Sequence, residues 1–205
     1  MAKQATAVIS PGNGILFLLL IAIALPGCSN RLVPPQQMQA PVTVHILDHG
    51  RHPSLVLPEP EGDWVRYVHG EWRWYAEHKT GIWRAFEALF WPTRAAVGRG
   101  HLTRLPESGG LSAEIPEGFV SRYSFSVERK EMAKLRSNLE QHFERASQTF
   151  HQPRYNLDFV PYPHPYTVLN NSNHVMSQWL RDMGIEVHGT ALFSQWQIGP
   201  ETCDP

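Results

Sequence analysis

The stretch "ERKEMAKLRSNLEQHFERA" constrains the fold most, because Met132, Leu135, Leu139 and Phe143 recur at spacings of three and four. This spacing predicts a helix over 130–146 that buries a single stripe, and the stripe is core packing rather than a cofactor box. A second amphipathic segment, "NHVMSQWLRDMG", predicts a helix over 173–183 with Val175, Trp179, Leu180 and Met183 inward and Gly184 as its stop. A third, "GIWRAFEALFWP", aligns Trp83, Phe86, Leu89 and Phe90 and is ended by Pro92.

Most of the remaining chain is β-prone and cut by proline. "VTVHIL" alternates up to the turn "DHGRHP"; "SLVLPEPEG" follows as a second strand. "WVRYVHGEWRWYA", with Gly70 at its middle, predicts two short strands or one bent at a bulge. "RGHLTRLPE" and "GFVSRYSFSV" are extended, and prolines force "YPHPYTVL" to be extended as well. A length of 205 residues fits one domain. A net charge of −1 and a hydrophobic share of 42% leave no electrostatic footprint for nucleic acid.

The chain starts differently from the rest. "ILFLLLIAIAL" (Ile15 to Leu25) is apolar and uncharged, too short to span a bilayer and of the length of a signal-peptide core. "LPGC" follows, and Leu25, Gly27 and Cys28 resemble a bacterial lipobox, with Pro26 replacing the usual small residue. The resemblance implies that residues 1–27 are removed and Cys28 is acylated, giving a membrane partner through a lipid anchor. Ser29 after the cysteine resembles the signal for the outer membrane, facing the periplasm. Residues 28–41 then form a polar tether and 42–205 the folded domain. With Cys28 acylated, Cys203 has no partner for a disulfide.

Two groups of residues could carry chemistry. Ser172 stands at the start of the 173–183 helix, where backbone N–H groups and the dipole favour an anion. Asn170, Asn171, Ser172 and Asn173 are also all preferred caps. "HILDHGRHPSLVL" supplies His45, His49 and His52; His52 opens a strand and is a candidate base for a serine. The three histidines also suggest metal, but the turn "DHG" breaks the geometry and no carboxylate or thiolate completes a set, so no metal and no cofactor are expected.

The order of "HGRHPSLVLP", "YVHGEWRWY", "FWPTRAAVGRGHL", a long amphipathic helix and "NNSNHVMSQWLRDMG" resembles the circularly permuted papain-like proteins of the NlpC and lecithin:retinol acyltransferase group. The resemblance covers roughly residues 42–190. It implies an α+β fold with an antiparallel sheet packed against helices, His52 as base, and Ser172 in the place of the usual cysteine. His69 or Glu71 would orient His52. It further implies a hydrolase or acyltransferase acting on cell-wall peptide amides or lipid esters, or a degenerate relative that binds a peptidoglycan or lipid ligand. Serine does not ionise as a thiolate does, so a site tuned for cysteine does not by itself activate Ser172.

Overall fold

The structure, a computed structural model, describes residues 30–78, 81, 91–105, 113–192 and 194–199. It is an α+β fold. Seven strands form one antiparallel sheet: β2 (Pro41–Asp48), β3 (Pro53–Pro58), β4 (Trp64–Glu71), β5 (Thr93–Leu102), β6 (Ser121–Glu128), β7 (Phe150–Gln152) and β8 (Leu157–Tyr166). Their spatial order is β6-β2-β3-β4-β5-β8-β7. A three-stranded sheet sets β1 (Asn30–Val33) between β9 (Glu186–His188) and β10 (Trp196–Ile198), antiparallel to the first and parallel to the second. The helices are α1 (Trp72–Tyr75), α2 (Arg129–Glu144) and α3 (Ser172–Asp182). None of the described helices is long and apolar enough to cross a membrane.

Alternation along the strands divides the interior in two. Val65 and Tyr67 of β4 join Leu55, Leu57, Val97 and Val160 in the main core, which α2 covers with Met132, Leu135, Leu139 and Phe143 and α3 with Val175, Met176, Trp179 and Leu180. Each such side chain contributes about 1.5–3 kcal/mol on burial, enough to hold α2 against the sheet. Val68, one residue out of phase, packs on the opposite face with Ala76, Tyr155 and Phe159, and Val56 packs there with Ile115 and Phe119.

Two expectations need amendment. Gly70 marks no bulge, since β4 runs straight through it. Its missing side chain makes room for Tyr75, whose ring would lie 2.1 Å from an added Cβ, and the chain then turns into α1. The polar segment expected as a tether over 28–41 contains β1, so the folded part begins at Asn30 at the latest. The helix expected over "GIWRAFEALFWP" falls mainly on 82–90, outside the described residues, as do Cys28, the segment 1–27 and Cys203.

Candidate functional site

Ser172 is the first residue of α3 and is not its cap. Asn171 holds that role: its side-chain oxygen accepts from the backbone N–H groups of Asn173 (2.9 Å) and His174 (3.1 Å). Ser172 is buried beside the Tyr166 phenol, where its hydroxyl and N–H favour the phenolate and partly offset the effect of burial on that group. Burial raises the pKa of that phenol, so Tyr166 stays protonated at neutral pH and takes no proton from the serine. His174, the nearest imidazole in sequence, turns back onto the Asn171 side chain at 3.1 Å.

His69 and Glu71 lie on the Tyr67 face of β4 by alternation. The His69 ring stacks on Tyr166 at 5.9 Å between centroids and meets Tyr162 edge-on at 5.0 Å. Both its ring nitrogens are buried without a hydrogen-bond partner, and desolvation lowers its pKa to about 3. Glu71 does not orient a histidine; its carboxylate accepts the Trp74 N–H at 2.7 Å and caps α1. Ser172, Tyr166 and His69 therefore form one contact chain.

His52 belongs to a different one. Its ring stacks on His49 (4.9 Å, 14°) and meets Tyr75, the residue covering Gly70 on the opposite face from His69. No described hydrogen bond or ring contact joins His52 to Ser172. Burial, then the neighbouring His49 and Arg66, push the His52 pKa down to about 3. His49 is at about 4, again chiefly through burial. The serine bonded within this histidine pair is Ser54. His49 Nδ1–H donates to the Gly118 carbonyl (2.5 Å), which leaves Nε2 to accept the Ser54 hydroxyl (2.5 Å). Ser54 is fully buried, so the pair ties β3 to the 49–52 turn and offers no exposed nucleophile.

Arg66, fully buried in β4, closes this cluster by donating to Glu117 at 2.7 Å and to the Tyr155 carbonyl at 2.5 Å. Ligand atoms of His49, His52 and Glu117 lie within 4.8 Å of one another, close enough to hold a metal ion. Glu117 supplies the carboxylate, whereas Asp48 of "HILDHGRHP" is engaged by the Gly50 N–H and the Ser194 hydroxyl; His45 stays apart on Ser124 (2.8 Å) with its pKa lowered to about 4 by burial, then by Arg122. The Arg66 guanidinium beside Glu117 opposes a cation there.

A cavity of about 460 Å3 opens beside Tyr162, lined among others by Trp72, Arg94, His142 and Arg145. Arg94 lies over the Trp72 ring at 4.2 Å, and His142 packs on Tyr162 at 5.1 Å. With two guanidinium groups and no carboxylate in its lining, the cavity suits an anionic group. Sequence reading missed Arg66, Glu117 and Tyr166, and left Asn171 as one of four candidate caps. An arginine inside the apolar alternation "WVRYV" was a usable signal, because a charge there needs a buried partner; Glu117 and Tyr166 carry no such signal.

Compared with family models, curated proteins and solved structures, the chain gives no match.

Proposed function

We propose that the chain is a lipid-anchored envelope protein whose permuted papain-like domain binds a cell-wall or lipid ligand and does not turn it over. The observation that carries this reading is the environment of Ser172: it is buried beside the Tyr166 phenol, which stays protonated, and no described hydrogen bond joins it to an imidazole. A general base works best with a pKa near the working pH, whereas His52 and His69 both lie near 3. The helix terminus is compromised as an oxyanion site too, since Asn171 already occupies the N–H groups of Asn173 and His174. The resemblance supplies the scaffold and the envelope setting; the antiparallel sheet with α3 packed on β3 and β4 is compatible with it.

The test is covalent labelling. A fluorophosphonate probe should leave wild-type Ser172 unmodified, while Ser172→Cys should react with a thiol probe at a measurable rate in a Cys203→Ser background. Stoichiometric labelling of wild-type Ser172, abolished by His52→Ala, would restore the serine hydrolase.

A further inference from the structure

We propose that one end of the seven-stranded sheet, the end bearing the α3 N-terminus, is a membrane-docking face that rests on the phospholipid surface holding the chain's own lipid. Seven large hydrophobic residues are exposed among the described residues, and five of them, Trp91, Val120, Val168, Leu169 and Leu192, collect at this end. Trp91 leads into β5, Val120 leads into β6, and Val168 and Leu169 form the turn between β8 and α3. Leu192 is joined to the start of α3 through its carbonyl, which accepts from the Asn173 amide at 3.3 Å. The register puts the four strand-flanking points at one end: Ser121 pairs Asp48, Asp48 pairs Pro53, Ser54 pairs Val68, Glu71 pairs Ala95 and Thr93 pairs Tyr166. Leu169 is 76% exposed, Val120 70% and Trp91 69%, in loops where polar residues are the rule. Trp at the rim and the exposed Arg51 of the 49–52 turn suit an interface with anionic headgroups.

The occupant follows from where the chain enters the fold. Asn30 is buried and doubly held: its N–H donates to the Gln195 carbonyl at 2.6 Å, and its side-chain oxygen accepts the Ala191 N–H at 2.8 Å. Ala191 adopts a left-handed φ of 52° at this grip, next to Leu192. Ser194 ties the same corner to Asp48 at the end of β2 (2.7 Å). Only Ser29 separates Asn30 from Cys28, so an acylated Cys28 lies within about 7 Å of Asn30 along the chain. A leash that short draws the neighbouring apolar loops onto the bilayer and aims the Ser172 end of α3 at the lipid.

This inference rests on the lipid-anchor reading, and the experiment separates the two. The full-length precursor is expressed in a diderm bacterium as a Cys203→Ser variant, and the mature protein is purified and placed in vesicles of phosphatidylethanolamine and phosphatidylglycerol. Leu169→Cys, or Glu61→Cys in the β3–β4 turn at the opposite end, carries an environment-sensitive fluorophore. The mature N-terminal mass reports the anchor. With an acylated Cys28, the 169 label should be blue-shifted and quenched severalfold more by spin-labelled lipid than the 61 label. Equal quenching at both sites, or a blue shift that follows protein concentration without lipid and so marks self-association, overturns the docking face while leaving the anchor intact. An unmodified Cys28 removes the anchor and the docking face together, and the mass identifies which failure occurred.

Discussion

The two faces of β4 carry buried polar clusters built on opposite terms. On one face Arg66, His49, Ser54 and Glu117 partner one another and nearby carbonyls, with Arg66 Nε and Glu117 Oε2 left over. On the other, His69 offers two ring nitrogens and satisfies neither. Both faces exclude protons from their histidines, but only the first gains hydrogen bonds in exchange. The first cluster is therefore a structural clamp, and the second carries a stability cost retained at the edge of the candidate site.

The comparison breaks most visibly at Arg66. Arg66→Met should cost about 3–5 kcal/mol by leaving the Glu117 carboxylate buried without its partner, and Arg66→Met with Glu117→Gln should recover much of that, measured by urea denaturation. Recovery of nothing would mean that the Tyr155 carbonyl contact, rather than the ion pair, holds the clamp.

A smaller effect of opposite sign is expected at His69. His69→Phe fills similar space, removes two orphaned nitrogens and should stabilise the protein by about 1–3 kcal/mol. It should also change the pH profile. His45, His49, His52 and His69 have folded values near 4, 4, 3 and 3 against an ordinary 6.5. Above about 6.5 all four are neutral in both states and contribute no pH dependence. As pH falls below 6.5 the unfolded chain takes up protons that the native state refuses, so stability declines toward the folded values. His69→Phe should make that decline shallower, by thermal or urea unfolding from pH 7 to pH 4; an unchanged slope would show that His69 is solvated in the native state.

The smallest effects separate Asn171 from Ser172. Asn171→Ala should cost about 1 kcal/mol, as loss of an N-cap does. Ser172→Ala should cost less, since the N–H groups of Asn173 and His174 are held by Asn171 and not by Ser172. The reverse order would make Ser172 the true helix starter.

This division between cap and neighbour shows what the sequence could carry. The spacing in "EMAKLRSNLEQHF" fixes α2 to within two residues, and all four apolar positions are buried, because a long amphipathic stripe has one way to satisfy itself. The strands at "VTVHIL", "SLVLP" and "SRYSFSV" were legible for the same reason, whereas "YPHPYTVL" caught only the second half of β8 and β7 was not foreseen. β1, β9 and β10 were not: at three or four residues each they have too few alternations to register, and pairing, not pattern, makes them strands. The site was half legible. Ser172 and the histidines were recognisable as chemistry, but which histidine meets which partner depends on strand parity near Gly70 and on Tyr75 and Tyr166, whose roles are set wholly by tertiary packing.

The position of β1 also has a consequence in time. It is the earliest strand described, yet its partners β9 and β10 are the last, and the Asn30 to Ala191 bond spans 161 positions. The small sheet thus waits until residues 186–198 have been made, while the hairpins from β2 to β5 can pair as they emerge. β1 has no partner strand until then, so the small sheet is expected to close after the hairpins of the large one.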